Sequence, residues 1–338
     1  MQKLERLSQH LGGARLWVKR DDLTGLALGG SKTRALGTLL GQALALNADT
    51  IITCGPTTSN HVRLTAAAAN RLGLKVVLVL KRPCEGQAVL QGNMLLNHVL
   101  GARIVYVDVD TLAGLETRME ELANHLRSEG AKPFIIPGGG YSPVGAAGYI
   151  ALVQELVEQS AAEDFDIDAV VFASGSGCIQ SGLLLGCLVH EVDLPIFGIT
   201  INRSIEELTA RIEHDVEKAC ELLGVRAAPR SCRIRVLDQY LGGGYAIPSD
   251  TGIAAIDLLA RMEGLLLDPC YTGKSMAGAI DLATNYFGRG QNIVFIHTGG
   301  TPGIFGYADR LMAIPRAAEA CAESQSITSS KNGHDFHC

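Results

Sequence analysis

Residues 17–36 read Trp17-Val-Lys-Arg-Asp-Asp-Leu-Thr-Gly-Leu-Ala-Leu-Gly-Gly-Ser-Lys-Thr-Arg-Ala-Leu36. A short apolar segment leads into a charged cluster and a glycine-bearing loop, and Lys32 then stands at the start of a helical pattern. A lysine in the first turn of a helix faces the positive end of the dipole and free N–H groups, which oppose its charge. Most lysines are solvated surface groups, but the glycines here let the backbone approach a bulky ligand. We therefore interpret Lys32 as a candidate nucleophile.

The rest of the chain alternates apolar strands with helical patterns. This alternation predicts parallel sheets with right-handed crossovers, and it occurs twice, at about 45–155 and about 165–315. Taken alone, the pattern suggests two consecutive α/β domains. The predicted strands are 16–18, 50–54, 75–80, 103–107, 133–136, 169–173, 196–201, 234–237 and 292–297. One predicted helix begins at Lys32 and another near residue 180. The other main predicted helices cover 61–72, 92–100, 112–128, 145–159, 204–223, 250–262 and 272–286.

The composition is typical of a globular enzyme. The chain has 338 residues, of which 47% are hydrophobic and 19% charged, enough for the cores of two domains. The net charge of -6 gives no reason to expect a nucleic-acid partner. We expect no membrane-spanning segment, which requires about 20 predominantly apolar residues in succession. The nine cysteines are odd in number and lack a Cys-x-x-Cys pair, so we expect reduced thiols in the cytoplasm and no metal.

Several predicted strands end in loops of Gly, Ser, Thr or Tyr, and ligands of open parallel sheets bind beyond the carboxyl ends of strands. Ser174-Gly-Ser-Gly-Cys178 lies between a strand and a helix, where its backbone N–H groups can surround a phosphate. The loop lacks the spacing of the dinucleotide fingerprint, and no Walker lysine follows it. An ordinary glycine turn is the alternative.

Other strand ends carry candidate polar groups. Thr57-Thr58-Ser59-Asn60-His61 opens a helix, where Ser or Asn commonly acts only as a cap. Tyr245 follows three glycines, and Tyr271 lies in Asp268-Pro-Cys-Tyr-Thr-Gly-Lys274. A tyrosine hydroxyl over a substrate carbon can carry a proton, although loop packing also explains Tyr245. His297-Thr298-Gly299-Gly300 closes the last strand.

Lys19-Arg-Asp-Asp-Leu-Thr-Gly25 and Gly29-Gly-Ser-Lys-Thr-Arg34 resemble the lysine segment of the D-cysteine desulfhydrase and 1-aminocyclopropane-1-carboxylate deaminase family. These are pyridoxal-phosphate enzymes of the tryptophan-synthase-β fold type, also called fold type II. The resemblance extends over about 15–310. It implies an α/β fold with two open, mostly parallel, twisted sheets and helices on both faces. It also implies a large cofactor domain from 1–44 and 156–316 and an inserted small domain from 45–155. The small, polar composition of 317–338 separately predicts a flexible tail.

The resemblance also implies roles for single residues. Lys32 would be joined covalently to pyridoxal phosphate, Asn60 would bond the ring hydroxyl, and Ser59 would lie beside the substrate. Thr298 would face the pyridine nitrogen, and this neutral partner makes the ring a weaker electron sink, which suits elimination. The loop Ser174, Gly175, Ser176, Gly177 and Cys178 would bind the phosphate. Ser59, Tyr245 and Tyr271 would line the substrate pocket, with Ser59, Tyr245 and Tyr271 also catalytic. From their positions beside these motifs we expect Thr58, His61 and Tyr141 at the same pocket, although His61 matches a family position without an assigned role and is equally explained as a packed histidine.

The chain departs from the family pattern at loop positions. Ser31 replaces Asn, Thr58 replaces Gln, Tyr141 stands where Ser is usual, and Ile179 replaces a threonine of the phosphate loop, beside Cys178. Thr58, Tyr141, Cys178 and Ile179 all fall on loops near the expected site. We therefore infer that the protein keeps the cofactor reaction of the family but acts on a different substrate. 1-Aminocyclopropane-1-carboxylate deaminases generally carry Glu where Thr272 stands, which favours the desulfhydrase branch.

The sequence thus predicts α,β-elimination from a small β-substituted amino acid, giving a 2-oxo acid and ammonia. The freed Lys32 amine, or Ser59 with a tyrosine, would take the α-proton. Cyclopropane ring opening, L-cysteate sulfo-lyase activity and biosynthetic β-replacement are alternatives with the same cofactor. A ligand-binding protein without catalysis and a nicotinamide oxidoreductase are alternatives of other classes. The resemblance implies a homodimer.

Overall fold

The fold is described from a computed structural model of the chain, which covers residues 1–83, 91–109, 111–225 and 234–314. Strands in these ranges follow the predicted apolar runs closely, and a two-residue strand precedes them. They are β1 (Gln2–Lys3), β2 (Arg15–Lys19), β3 (Thr50–Gly55), β4 (Lys75–Lys81), β5 (Arg103–Val107), β6 (Pro133–Ile136), β7 (Ala169–Ser174), β8 (Ile196–Thr200), β9 (Arg235–Leu237) and β10 (Asn292–Ile296).

The strands form two sheets. The larger has the order β1-β2-β10-β7-β8-β9 and the smaller the order β5-β4-β3-β6. Every neighbouring pair is parallel except β1 and β2. Strand β2 lies beside β10 from the other end of the sequence, with Asn292 opposite Arg15. The fold class implied by the resemblance, two mostly parallel sheets with helices, is confirmed.

Burial explains the composition of the central strands. Every residue of β3, β7 and β10 is buried, as expected for parallel strands with both faces covered. In β5, at the edge of the smaller sheet, only Val107 is buried. The central strands therefore read as continuous apolar runs.

Five of the twelve helices in the described ranges begin at a Ser or Thr cap. Ser59, Thr111, Ser142, Ser204 and Ser249 each accept a hydrogen bond from a backbone N–H in the first turn of the helix that follows. The helices of the described ranges are α1 (Glu5–Leu11), α2 (Lys32–Ala45), α3 (Asn60–Arg71), α4 (Asn93–Val99), α5 (Leu112–Ser128), α6 (Pro143–Ala147), α7 (Ile150–Ala162), α8 (Cys178–Val189), α9 (Ile205–Leu223), α10 (Asp250–Glu263), α11 (Thr272–Asp281) and α12 (Ala308–Met312).

Two predicted helices differ from the structure. The helix expected over 145–159 is two helices, α6 and α7, separated near Gly148. A Cβ on Gly148 would lie 2.3 Å from the carbonyl oxygen of Arg34, so the close approach of α2 requires glycine there. The helix expected to reach residue 286 ends at Asp281, and a π-helical turn, Leu282–Tyr286, replaces its last part.

The proposed domain boundaries are not tested by this structure and stay a prediction. The strands of the smaller sheet all come from residues 50–136, whereas both ends of the sequence contribute to the larger sheet. Residues from 307 onward form a separate compact unit, whose described part contains α12. The predicted tail over 317–338 lies outside the described residues. No helix in the described ranges combines the length and apolarity needed to cross a membrane.

A network of ion pairs fixes the start of α2. The guanidinium of Arg34 bonds both carboxylate oxygens of Asp21 at 2.8 Å and both oxygens of Glu155 at 2.8 Å. Lys19, at the end of β2, bonds Glu155 at 2.5 Å. The hydrogen bonds from Arg34 lower the pKa of Glu155 to about 2. The network thus connects β2, α2 and α7. Its central residue, Arg34, lies two residues after Lys32.

We predict that Arg34→Gln lowers the free energy of unfolding by about 3 kcal/mol, because it leaves the buried carboxylate of Asp21 unpaired. Urea denaturation measures the change. Arg118→Gln is the matched control, because Arg118 pairs with Glu121 on the solvent side of α5 and should contribute less than about 1 kcal/mol. Equal effects of the two substitutions would contradict this role for Arg34.

Candidate active site

One cavity of about 450 Å³ lies where the carboxyl ends of the strands meet. Loops that follow β3, β6, β7, β8 and β10 form its walls, and Lys32 enters it from the loop after β2. This is the position where open parallel sheets bind ligands. Polar side chains and backbone from both sheets therefore meet in one space.

Lys32 is the first residue of α2, and its amine is held inside the cavity. Its Nζ donates a hydrogen bond to the carbonyl oxygen of Gly139 at 2.9 Å. Burial lowers the pKa of Lys32, while the nearby Cys178 thiol opposes this effect. Gly139 has φ of +71°, and a Cβ there would lie 2.9 Å from the Cβ of Ser176. A glycine thus lets the loop after β6 approach the loop after β7 beside the amine.

The loop 174–178 presents backbone N–H groups between β7 and α8. Gly177 is left-handed, with φ of +94°, and α8 begins at the next residue. The side chain of Ser174 turns away from the loop to bond Gln180 at 3.0 Å. Ser176 accepts a weak hydrogen bond from the N–H of Cys178 at 3.4 Å. This arrangement has the form of an anion-binding nest at a helix start.

The start of α3 contributes Ser59 and Asn60. Ser59 caps the helix by accepting from the N–H of Val62 at 3.3 Å. Asn60 Oδ1 accepts from Asn93 Nδ2 at 2.9 Å, so the Nδ2 atom of Asn60 remains for another partner. Asn93 also donates to the carbonyl oxygen of Thr58 at 2.8 Å. The α4 residue Asn93, which sequence reasoning missed, therefore sets the orientation of the Asn60 amide.

His61 is buried and held neutral. Its Nε2 lies 3.0 Å from the hydroxyl of Thr53, which itself donates to the carbonyl oxygen of Ile136. The Thr53 hydroxyl can then only accept, so His61 carries its proton on Nε2. Burial, with a smaller contribution from Lys32, lowers the pKa of His61 to about 3. His61 is thus an uncharged wall residue whose Nδ1 is a potential acceptor.

Tyr245 and Tyr271 form a hydrogen-bonded pair on the cavity wall. Their hydroxyls bond each other, and their rings meet edge to face with centroids 5.9 Å apart. Thr58 extends the chain of hydroxyls, with its Oγ1 at 3.1 Å from the Tyr245 hydroxyl. Burial, followed by the proximity of Tyr245, raises the pKa of Tyr271 well above its ordinary value. Tyr271 therefore stays protonated and can donate a proton.

Two buried cations hold the glycine loops of the site by their carbonyl oxygens. Lys274 donates to the carbonyl oxygens of Leu241 at 2.7 Å and Gly244 at 2.6 Å, in the loop that ends at Tyr245. Arg63 on α3 donates to Gly29 at 3.0 Å and also to Ala27, in the loop that leads to Lys32. Lys274 belongs to the Asp268–Lys274 run, but nothing in that run indicates that it binds a distant loop.

Most of the predicted site residues line the cavity, but Thr58, Tyr141 and Cys178 do not. The hydroxyl of Tyr141 bonds the carbonyl oxygen of Arg211 at 2.7 Å, and its ring stacks on that guanidinium. The thiol of Cys178 bonds the carbonyl oxygen of Gly140 at 3.2 Å. The placement of these two side chains at the substrate or cofactor is corrected. The predicted residues on the wall are Lys32, Ser59, Asn60, His61, Ser174, Gly175, Ser176, Gly177, Tyr245, Tyr271 and Thr298.

These positions weaken the interpretation of the clustered departures. Of the four departures Thr58, Tyr141, Cys178 and Ile179, only Ile179 lies on the cavity wall. Thr58 is connected to the wall through its hydrogen bond with Tyr245. Tyr141 and Cys178 pack behind the phosphate loop instead. The cluster therefore does not by itself indicate an altered substrate.

Thr272 also points away from the cavity. Its hydroxyl donates to Asp268 Oδ2 at 2.7 Å and accepts from the N–H of Asp268 at 2.8 Å. The same carboxylate accepts from the N–H groups of Cys270 and Tyr271, which fixes the turn that presents Tyr271. Within the described ranges, no group of three or more His, Cys, Asp or Glu side chains is arranged to hold a metal ion.

Comparisons with known proteins identify the family. A model of the family "Pyridoxal-phosphate dependent enzyme" matches residues 1–299. The chain belongs to this family. One relative is a Pyrococcus abyssi protein named "Putative 1-aminocyclopropane-1-carboxylate deaminase", which is 43% identical over 93% of this chain and 92% of its own length. Another is the D-cysteine desulfhydrase of Yersinia enterocolitica, which is 40% identical over 91% of this chain and 92% of its own length.

Solved structures agree with this assignment. The crystal structure of a homologue of 1-aminocyclopropane-1-carboxylate deaminase matches with a TM-score of 0.85 and 39% identity, covering 93% of each chain. Threonine deaminase isoform 2 of Solanum lycopersicum matches at 19% identity with a TM-score of 0.64, which shows the same fold. The resemblance to the D-cysteine desulfhydrase and deaminase family is confirmed.

The cavity suits the family's cofactor. Pyridoxal phosphate needs a lysine amine and a cradle for a dianion, and the cavity brings Lys32 together with the loop 174–178. Close approach of Gly139 to Ser176 leaves no room for a side chain between the amine and the loop. Thr298, a residue with a neutral hydroxyl, also lies on the cavity wall. A hydrogen bond from the N–H of Ser31 to the carbonyl oxygen of Thr298 holds this residue next to the start of α2.

We predict that Lys274→Met slows turnover about tenfold or more while cofactor binding is retained. The substitution removes both bonds to the loop 241–244, so the hydroxyl of Tyr245 loses its fixed position against Tyr271. Loss of these charge-assisted bonds should also lower the free energy of unfolding by about 1.5–3 kcal/mol. Steady-state kinetics, the cofactor absorbance and urea denaturation measure the three quantities.

Lys218→Met is the control, because Lys218 lies on α9 with its side chain largely exposed and pairs only with Glu221 among the described residues. Unchanged turnover in Lys274→Met would show that the loop needs no support from this amine. Loss of the cofactor absorbance would show a wider structural role than the one inferred.

Proposed function

We propose that the protein catalyses α,β-elimination from a small β-substituted amino acid, with D-cysteine as the first candidate, to give a 2-oxo acid and ammonia. The observation that carries the proposal is one cavity in which the amine of Lys32, the hydroxyl of Ser59 and the paired hydroxyls of Tyr245 and Tyr271 meet. The D-cysteine desulfhydrase of Yersinia enterocolitica, 40% identical over most of the chain, supports this choice of substrate.

Binding of the cofactor is assigned to the wall residues. Lys32 would join it covalently, Asn60 Nδ2 would donate to its ring oxygen, and the loop 174–178 would hold its phosphate. At Cys178 the contribution is limited to the backbone, because the thiol faces Gly140. Thr298 would face the ring nitrogen. A neutral partner there suits elimination better than transamination, which benefits from a carboxylate.

The proton transfers follow from the charges in the cavity. The bound cofactor supplies the electron sink that accepts the charge left at the α-carbon. Because burial lowers the pKa of Lys32, its free amine can take the α-proton at Nζ, with Ser59 orienting the substrate. Tyr271, protonated and bonded to Tyr245, can donate its hydroxyl proton to the β-group as that group leaves with the bond's electron pair.

Cyclopropane ring opening is the second candidate, because the Pyrococcus abyssi relative carries that name. The position at which such deaminases generally place Glu is here Thr272, which is fully buried and bonded to Asp268. The described cavity wall contains no Asp or Glu side chain. L-cysteate sulfo-lyase activity and β-replacement use the same groups and stay alternatives.

Assembly and location are further parts of the proposal. The family resemblance supports a homodimer. The described cysteines Cys54, Cys178, Cys187, Cys220 and Cys270 are all free and buried, which supports a reducing compartment such as the cytoplasm.

We predict that the pure protein releases pyruvate from D-cysteine and from D-chloroalanine. Lactate dehydrogenase and NADH measure the pyruvate, and 2-oxobutyrate from 1-aminocyclopropane-1-carboxylate is assayed in parallel. Tyr271→Phe should slow the release by about 10²–10⁴-fold, since it removes the proton donor but keeps the ring.

Lys32→Ala is the negative control and should form no product. The absence of a 2-oxo acid from every β-substituted amino acid tested would overturn elimination. Release of 2-oxobutyrate alone would support ring opening in its place.

A further inference from the structure

The phosphate loop lacks the side chain that the family resemblance expects at its end. Ile179 stands where a threonine hydroxyl is usual, and its side chain lines the cavity. In the described residues around the loop, no protein acceptor takes the N–H of Ser176 or of Gly177. The loop therefore has backbone donors for an anion but one hydroxyl fewer than expected.

Two arginines from the segment after β8 donate hydrogen bonds to backbone carbonyl oxygens of this loop. Arg203 Nη1 donates to the carbonyl oxygen of Gly175 at 2.7 Å, and Arg211 Nε donates to the carbonyl oxygen of Ser176 at 3.4 Å. The C=O and N–H of a trans peptide unit point in opposite directions. The bond to Gly175 therefore turns the N–H of Ser176 away from Arg203, and the bond to Ser176 turns the N–H of Gly177 away from Arg211.

Arg203 differs from an ordinary surface arginine in its surroundings. Its side chain is only 12% exposed, and it lies on the cavity wall together with Gly175 and Ser176. Its single carboxylate partner in the described ranges is Glu207 at 2.7 Å, whose side chain is 57% exposed. Burial, followed by repulsion from the nearby guanidinium of Arg211, lowers the pKa of Arg203. Both guanidinium groups thus lie beside the phosphate loop, with Glu207 paired to Arg203 and the carboxylate of Asp215 near Arg211.

We propose that Arg203 and Arg211 together replace the missing threonine in binding the cofactor phosphate. They keep the N–H groups of Ser176 and Gly177 directed at the phosphate by bonding the preceding carbonyl oxygens. Arg203 in addition supplies positive charge at the cavity wall. The proposal depends on the family's cofactor and not on which reaction the protein performs.

The test compares pyridoxal phosphate with pyridoxal, which lacks the phosphate. Apoprotein of the full chain is titrated with each compound, and absorbance gives the two dissociation constants. Arg203→Gln should weaken binding of pyridoxal phosphate about 10–100-fold, the range expected for a charge-assisted hydrogen bond, and leave pyridoxal binding unchanged. Arg203→Lys should lie between the wild type and Arg203→Gln, because it keeps the charge but loses the planar fork.

Arg211→Gln is a second, independent variant, and it should also weaken pyridoxal phosphate selectively, by a smaller factor because its bond is longer. Arg261→Gln is the control, because Arg261 pairs with Asp257 on the exposed side of α10. Equal weakening of both compounds by Arg203→Gln and Arg211→Gln would assign the arginines to loop stability alone and overturn the proposal. Unchanged affinity for pyridoxal phosphate would overturn it as well. Elimination activity enters none of these measurements, so the outcome is separate from that of the proposed reaction.

Discussion

The candidate site depends on one amine that is held inside the cavity at the start of a helix. Lys32 occupies the first position of α2, where the helix dipole and the free N–H groups oppose its positive charge. Its Nζ has a hydrogen bond to the carbonyl oxygen of Gly139, and burial lowers its pKa. The ion pairs of Arg34 with Asp21 and Glu155 fix the same turn against β2 and α7. Burial and the helix start therefore both favour the uncharged amine, which is the form that reacts covalently.

The loops that surround this amine are rich in glycine, and cationic side chains with little exposure hold them in place. Arg63 bonds the loop before Lys32, Lys274 bonds the loop before Tyr245, and Arg203 bonds the phosphate loop. In each case the acceptor is a backbone carbonyl oxygen. A glycine offers no side chain for packing, so such bonds replace side-chain contacts. They also leave positive charge near the cavity, which suits an anionic cofactor.

The sequence predicted the strands well because central parallel strands are apolar on both faces, as in β3 and β7. It placed Lys32, Asn60 and Tyr271 in the site because their motifs follow the ends of strands. It missed the break at Gly148, which depends on the carbonyl oxygen of Arg34 in another helix. It did not predict the pairing of β2 with β10, which joins distant parts of the chain; the family resemblance implied only that both ends of the chain contribute to one domain.

The direction of side chains was the feature of the site that the sequence predicted least well. Tyr141 and Cys178 lie on the expected loops, but their side chains turn to carbonyl oxygens behind the cavity. Arg203, Lys274 and Asn93 act on a loop or an amide from a distance along the chain, so no local motif marks them. Position on a loop can be predicted from sequence, whereas the partner of a side chain requires the tertiary structure.

Reduction of the cofactor-loaded protein with borohydride, followed by peptide mass spectrometry, tests the role of Lys32 most directly. Reduction makes the bond between an amine and pyridoxal permanent. We expect the peptide that contains Lys32 to carry the pyridoxyl group in nearly stoichiometric amount. An unmodified Lys32 in fully loaded protein, or a pyridoxyl group on another lysine, would contradict the assignment of this amine.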